Sequence, residues 1–482
     1  MKNPTRVWIV LLGAAMVLAA SVSMSVPPED GPMFLTDTHG ASGVAHALLE
    51  LSTVYPEYDR YWKGALDWLI SVAERDERGR MTWRFSASAP EGHPNRRINL
   101  PGVCHIIRMF VEGYRRTGDE RYKEATIAGV RWLTEVAMLK RKTRLGLGCG
   151  WSHSYRPGDT SLGLLAGHSH GLGNFISTMI EAYSIEPDKR LETVLKGILI
   201  NLRLRGKTIV RDGKVMFAFP KRNNDRIFET GYCYGQAGIA VPLYDLAREF
   251  PDMKLSDGTT PLSMANANLR YLMDVAVRYG DGYVWPYMRH EKRSMNIGYG
   301  SGTGGIGWAF LKGFEANAGS DPAFAEECMR YARGAAEFAV ELIMRIPETE
   351  PFPQPGGAAG FGVCGGSSGG CHFLMLFASK IREKDPEFAR RIDAAIERIG
   401  KRLIVTARDT RGTLVWMRDE RTVNMALDYG QTGVVLALTK IGRYLKNREF
   451  LEAARKGADF AAKQAVPENG GYKFPLRVAI FD

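Results

Sequence analysis

The chain has 482 residues, of which 45% are apolar and 24% are charged. This balance is typical of a globular protein and excludes a disordered or fibrous one, and because only one long uncharged run occurs, a protein with several membrane spans is excluded as well. The formal net charge is +11, but the one dense basic run, residues 140–144, is too short for a nucleic-acid-binding stripe and is expected to form a solvated loop, so no nucleic-acid partner is predicted.

The N-terminus predicts export. Lys2 and Arg6 precede an uncharged stretch over residues 7–26, after which Pro27 and Pro28 follow. A basic segment before an apolar one that ends in small residues is the pattern of a secretory signal peptide. Residues 1–25 are therefore predicted to be a signal peptide or an uncleaved N-terminal anchor, since about 20 apolar residues also just cross a bilayer. The protein is expected to be periplasmic or extracellular, with membrane contact only through this segment.

Glycine-rich turns then recur along the chain at a mean interval of 65 residues. Each has a Gly-x-x-Gly frame or a near copy and leads into an apolar segment of helical length. The turns begin at Gly40, Gly102, Gly171, Gly235, Gly302, Gly366 and Gly430. A short polar turn follows most of these segments, with an acid, Asn or Pro where a second, more charged helix would begin, because such residues cap free helix amides. Each period is therefore predicted to be a helix hairpin.

Short aromatic segments follow several of the second helices. They lie at residues 81–85, 215–219, 283–287, 414–416 and 472–475. Their length and composition suit brief β-hairpins that join one helical unit to the next.

Helix pairs that cannot cover their own apolar face must stack on neighbours. Because seven full periods fill the chain from about residue 37 to its end, we predict a closed ring rather than an open superhelix. The predicted fold is all-α, a seven-hairpin α/α toroid with short β-like hairpins between units, formed by residues 26–482 as a single domain. The glycine turns would gather at one end of the ring around a central cavity, since glycine lets backbones approach closely.

Three of the turns resemble those of the lanthionine synthetase C-like family. They are His170-Gly171-Leu172-Gly173 in the third repeat, Gly231-Tyr232-Cys233-Tyr234-Gly235 in the fourth and Gly362-Val363-Cys364-Gly365-Gly366 in the sixth. The resemblance covers essentially the whole mature chain and implies the same seven-hairpin ring.

In that family, a Cys of the fourth repeat and a Cys-His pair of the fifth hold zinc, and the metal-bound thiolate of a peptide adds to a dehydrated Ser or Thr. The resemblance implies that Cys233 is the first zinc ligand and that His170 is the acid–base histidine. Gly300 and Ser301 stand where the family has its Cys-His pair, so two of the three protein ligands are missing.

Other residues could rebuild the zinc site. Cys364 has the same offset from its glycine turn as Cys233, so these two thiols and a histidine are candidate ligands for zinc. Alternatively, the six cysteines are small side chains that fill a tight ring of helix ends, or they form disulfides in an exported protein.

Carbohydrate chemistry is the second hypothesis, because exported α/α barrels commonly process sugars. Glycoside hydrolysis needs two carboxylates about 5 to 9.5 Å apart. Acids beside the glycine turns are Asp37, Asp159, Glu229 and Asp428, although each could instead cap a helix.

Three functions follow from these observations. The first is an exported, divergent lanthionine synthetase C-like protein that binds a peptide, a thiol or another small ligand in its central cavity. The second is a secreted carbohydrate-active enzyme with paired carboxylates. The third is a binding or assembly protein that keeps the ring without chemistry.

Overall fold

A computed structural model describes residues 40–480 except 88–90, 94–95, 159–166, 222–227, 287–295, 350–360 and 365. The segment predicted to be a signal peptide or anchor lies outside the described residues, as do Asp37 and Asp159, and the domain boundary at residue 25 stays a prediction. Within the described part of the chain, no helix has the length and apolar character needed to span a bilayer.

An α-helix follows each of the seven glycine turns. These first helices are α1 (Ala41–Ser52), α3 (Leu100–Thr117), α5 (Leu172–Ile185), α7 (Ala237–Glu249), α9 (Thr303–Asn317), α11 (Ser367–Ile381) and α13 (Gln431–Leu445). Most of their residues are buried on all sides, as expected for the inner layer of a ring.

A second helix pairs with each first helix. These are α2 (Asp59–Ser71), α4 (Glu120–Trp132), α6 (Lys189–Arg205), α8 (Pro261–Val275), α10 (Pro322–Arg345), α12 (Pro386–Val405) and α14 (Arg448–Lys463). They bury one stripe against the first helices and expose charged residues on the other, so they form the outer layer.

The inner helices close into a ring. Each packs on the inner helix of the next repeat, and α13 of the last repeat packs on α1 of the first. The predicted seven-hairpin α/α toroid is therefore confirmed.

Side-chain caps start the outer helices where the polar turns predict them. The carboxylates of Asp119, Asp188, Asp321 and Asp385 accept from amides of the following helix turn, and Asn447 does the same at α14. Helix α8 has a cap that the sequence did not single out: Thr260 and Ser263 form a reciprocal capping box.

Two-stranded hairpins join successive units. They are β1 (Glu74–Arg75) with β2 (Met81–Thr82), β4 (Leu139–Thr143) with β5 (Gly146–Gly150), β7 (Lys207–Arg211) with β8 (Lys214–Ala218), β9 (Val277–Tyr279) with β10 (Gly282–Val284), β11 (Arg408–Thr410) with β12 (Thr413–Val415), and β14 (Val466–Glu468) with β15 (Gly471–Lys473). All five aromatic segments contribute a second strand. The basic run is part of strand β4 rather than the expected loop, although its charges are exposed.

Two further antiparallel pairs join segments that are distant in sequence. They are β3 (Ile98–Asn99) with β6 (Ser154–Tyr155), and β13 (Thr422–Asn424) with β16 (Arg477–Ala479). They hold the connections between repeats against the ring.

A buried tryptophan ties four of these hairpins to the preceding outer helix. The indole N–H groups of Trp83, Trp151, Trp285 and Trp416 donate to the carbonyl oxygens of Leu69, Leu133, Leu272 and Leu403 at 2.8, 2.8, 2.8 and 2.6 Å. The acceptors lie at or near helix C-termini, where carbonyls lack helical partners. Three of the five aromatic segments, and Trp151 after β5, thus bond to carbonyls at the end of the preceding outer helix.

The second glycine of the repeated frame is required by close backbone contact. A Cβ on Gly238 would lie 1.7 Å from the Tyr232 carbonyl oxygen, and a Cβ on Gly369 would lie 1.9 Å from that of Val363. Each glycine thus faces a carbonyl six residues earlier in its own turn. The Gly-x-x-Gly spacing therefore places a residue without a side chain where the helix contacts a carbonyl of its own turn.

Candidate functional site

The glycine turns of the last four repeats lie side by side at one end of the ring. The Cys233 amide donates to the Gly300 carbonyl at 2.8 Å, and the Gly300 amide donates to the Cys364 carbonyl at 2.7 Å. The Cys364 amide in turn donates to the Asp428 carbonyl at 3.1 Å. These bonds place Cys233 and Cys364 on either side of Gly300, with Asp428 next in line.

The two thiols meet in front of Gly300. Their Sγ atoms are 3.3 Å apart, and both residues are buried. A Cβ on Gly300 would lie 2.5 Å from the Cys233 sulfur and 2.3 Å from the Cys364 sulfur. The missing side chain in the fifth repeat therefore leaves the space in which thiols from the fourth and sixth repeats come together. We call Cys233 and Cys364 the dithiol pair.

Hydroxyl groups border the dithiol pair. The Ser169 hydroxyl donates to the Cys233 sulfur at 3.2 Å. The hydrogen bond with Cys233, together with burial, raises the pKa of the Cys364 thiol well above its usual value, while a hydrogen bond from Tyr429 opposes this shift. The charge of Cys364 and burial raise the pKa of Tyr429 in turn. A second negative charge on the pair is therefore disfavoured.

A cavity of about 320 Å³ lies inside the ring, with the dithiol pair on its wall. Aromatic rings of Tyr232, Tyr299 and Trp308 cover part of this central cavity, and their centroids are 4.6 to 5.5 Å apart. Rings, thiols and a few polar groups on one concave wall are typical of a site for a small organic ligand.

A second cavity of about 260 Å³ shares part of this wall. The residues common to both cavities are His105, Ser169, Cys364 and Asp428. His170 lines only this second cavity, where its ring stacks on Tyr234 with centroids 4.7 Å apart. The structure thus brings His170, Cys364 and Asp428 to one cavity.

Basic side chains line the part of the central cavity formed by the first, sixth and seventh repeats. They are His46 of α1, His372 of α11 and Lys440 of α13. Burial, Lys440 and His46 lower the pKa of His372 to about 4. Burial also lowers the pKa of Lys440. We call these three residues the basic cluster.

The candidate carboxylates are placed differently from one another. Among the described residues that line the two cavities, Asp428 is the one acid. Glu229 has a fully buried side chain and pairs with Lys221, and neither cavity includes it in the described part of its wall. Asp37 and Asp159 fall outside the described residues. The described walls therefore present one carboxylate where hydrolysis of a glycoside needs two.

The described residues do not fit the three-ligand zinc site that the family resemblance implies. A catalytic zinc ion is typically held by three protein ligands. The dithiol pair offers two, and the described part of the chain contains no group of three or more His, Cys, Asp or Glu residues placed to hold a metal.

Sequence reasoning missed the basic cluster, although a signal was present. The inner helices are rich in apolar residues, yet Lys440 follows Leu436 by four residues, and His372 precedes Met375 by three. All four residues line the central cavity. A charged or imidazole side chain three or four residues from apolar residues of a buried helix face indicates a polar group that points inward.

The fold and the site together define an α/α toroid with a thiol-bearing central cavity. No protein-family model matches the chain, and no curated protein matches it by sequence. Among solved structures, it is similar to nisin cyclase, with a TM-score of 0.51 and 14% identity over 94% of this chain and 99% of that one. This likeness supports the lanthionine synthetase C-like fold.

Two carbohydrate enzymes also match. A cellobiose 2-epimerase from Bacillus thermoamylovorans matches with a TM-score of 0.45 and 12% identity over 75% of this chain and 88% of that one. The α-1,6-mannanase GH76A from Salegentibacter matches with a TM-score of 0.44 and 13% identity over 86% and 99%.

Proposed function

We propose that this protein is an exported, divergent lanthionine synthetase C-like protein that binds a small organic ligand or a peptide side chain in its central cavity, with the dithiol pair as the reactive centre. The observation that carries the proposal is the meeting of Cys233 and Cys364, 3.3 Å apart, on the wall of that cavity. Thiols of one pair can bind the same thiophilic atom together, which isolated buried cysteines cannot do.

Zinc-dependent cyclisation is not part of this proposal, because the described residues supply two thiol ligands and Gly300 and Ser301 replace the family's Cys-His pair. Zinc on Cys233 and Cys364 stays a prediction of the sequence. Elemental analysis of the purified protein and of a Cys233→Ala variant tests it, since a stoichiometric zinc ion lost in the variant would establish the metal site.

A trivalent arsenical tests the dithiol pair directly. Phenylarsine oxide reacts with two thiols to form two As–S bonds, and its oxygen leaves as water with the two thiol protons. We expect one arsenical per chain in the full-length protein, measured by intact mass and located by peptide mapping. Cys233→Ser and Cys364→Ser should each lose it.

Cys328→Ser is the matched control, because Cys328 is buried beside Gly313 and outside the described walls of both cavities. It should bind the arsenical like the wild type, and circular dichroism should show that all three variants are folded. Uptake that persists in both Cys233→Ser and Cys364→Ser would refute the dithiol pair as the reactive centre.

The carbohydrate-active alternative has less support in the described structure. Its favourable features are the aromatic rings of the central cavity and the single wall carboxylate of Asp428. If an oligosaccharide screen found hydrolysis that Asp428→Asn abolished, this alternative would replace the first proposal.

A further inference from the structure

We propose that the ligand of the central cavity carries an anionic group that pairs with Lys440. This inference rests on the proposed function, and it adds the chemical class of the ligand: an organic carboxylate or phosphate with an apolar body.

Lys440 is a cation without a partner in the described structure. It projects from α13 into the cavity beside Leu436 and Ala437, and it forms no hydrogen bond or ion pair with any described residue, whereas Lys312, which lines a different cavity, pairs with Asp245 at 3.1 Å. Lys440 is half-buried, and a lysine is rarely withdrawn from water without a partner, because its ammonium ion loses hydration in a protein interior. An anion in the cavity would supply the missing partner.

The charged neighbours of Lys440 do not neutralise it. The carboxylate of Glu50 lowers the cost of its charge, but Glu50 is already engaged by Arg443 at 2.5 Å. On the neighbouring inner helices, His46 and His372 face the same cavity. Neither residue carries a carboxylate that could pair with Lys440, so an anion in the cavity would meet no competing negative charge from these two side chains.

Elsewhere on the wall, the charges are largely balanced. Arg108 pairs with Glu181 at 2.9 Å, and Asp428 lies on the part of the wall shared with the second cavity. Lys440 is therefore the cation of the described wall that no carboxylate pairs with. A ligand would place its anion there.

The aromatic rings beside the basic cluster indicate the chemical character of the rest of the ligand. The ring of His372 lies 6.1 Å from Trp308 and 6.2 Å from Tyr299, centroid to centroid. A group attached to the anion would therefore contact aromatic faces and Met375. This surface suits an apolar or aromatic body and offers little to a highly hydroxylated one.

Two probe ligands that differ in charge test whether the cavity prefers an anionic group. We would measure the binding of 3-phenylpropionate and of 3-phenylpropanol, which have the same body and differ in charge, by isothermal titration calorimetry on the full-length protein. The carboxylate should bind at least about tenfold tighter than the alcohol, equivalent to about 1.4 kcal/mol. Lys440→Gln should remove this preference and Lys440→Arg should retain it. Lys456→Gln, which changes an exposed lysine on α14, should leave it unchanged.

Equal binding of the two probes by the wild type, absence of carboxylate binding at millimolar concentration, or a preference that survives Lys440→Gln would overturn the inference. The arsenical assay separates this failure from failure of the proposed function. A wild-type protein that takes up phenylarsine oxide but does not prefer the carboxylate would retain the proposed dithiol pair, and only the inferred anion would be rejected. A wild type that fails to bind the arsenical would instead reject the proposed function.

Discussion

Gly300 of the fifth repeat adds no side chain to the candidate site. With no side chain there, the sulfurs of Cys233 and Cys364 approach to 3.3 Å across the gap. The family resemblance implies a metal-binding cysteine at this position, whereas the glycine found here leaves the fourth and sixth repeats to supply the two thiols.

We expect Gly300→Ala to disrupt the dithiol pair. The new Cβ would lie 2.5 and 2.3 Å from the two sulfurs, far inside van der Waals contact, so the thiols must rotate apart. Phenylarsine oxide should then bind at least about tenfold more weakly, a loss of about 1.4 kcal/mol. Gly319→Ala is the control, because a Cβ there meets nothing within 4 Å. An unchanged affinity in Gly300→Ala would show that the geometry at Gly300 does not control the pair.

The candidate site was partly predictable from single residues. The offset of Cys233 and Cys364 from their glycine turns made both thiols candidates, and the family resemblance made His170 one. All three line the described cavities, and their roles stay predictions. The offset did not predict that the thiols meet, because the distance between turns two repeats apart depends on the curvature of the ring. Glu229 also lies beside a turn, but its side chain is buried against Lys221, and sequence adjacency does not reveal on which side of a turn a carboxylate points.

At the scale of secondary-structure elements, local rules predicted most of the hairpins. An Asp or Asn at the start of an outer helix accepts hydrogen bonds from free amides whatever the surrounding fold, so the N-termini of these helices could be predicted from the sequence. The ends of the outer helices were not, because they depend on tertiary contacts. Trp416, for example, reaches back to a carbonyl of α12 from the far side of a hairpin.

We expect Trp416→Phe to destabilise the sixth repeat. The substitution keeps an aromatic ring but removes the N–H that donates to the Leu403 carbonyl at 2.6 Å in a fully buried setting. Leaving a buried acceptor without this donor costs about 1 to 3 kcal/mol, measurable as a lower free energy of unfolding in urea. Trp62→Phe is the control, since its N–H donates to Asp59, a partly exposed carboxylate that water can also solvate. Equal losses in both variants would mean that the tryptophan bond does not secure the hairpin.

At the scale of the whole molecule, the constant period of the glycine turns predicted ring closure. Each inner helix needs a neighbour on both sides to bury its apolar surface, and a seventh repeat without a cap finds that neighbour only in the first. Side-chain hydrogen bonds also join the first and last repeats, among them Tyr58 to Asp459 at 2.6 Å, Trp68 to Glu468 at 2.7 Å and Arg443 to Glu50 at 2.5 Å. These partners are about 400 residues apart in sequence, so no local pattern could have paired them.

Ring closure predicts the relative rates of hydrogen exchange in the inner helices. In an open array of repeats, the terminal units have one neighbour and fray first, whereas in a closed ring every inner helix has two. We therefore expect backbone amides of α1 and α13 to exchange with solvent deuterium within about tenfold of those of α7 on the opposite side of the ring, a difference in opening free energy below about 1.4 kcal/mol. Mass spectrometry of peptides from the three helices at neutral pH measures this. Exchange of α1 and α13 that is hundreds of times faster than that of α7 would indicate that the contact between the first and last repeats opens independently. The wall formed by His46 and Lys440 would then be a transient one, because these two residues lie on the two helices that closure brings together.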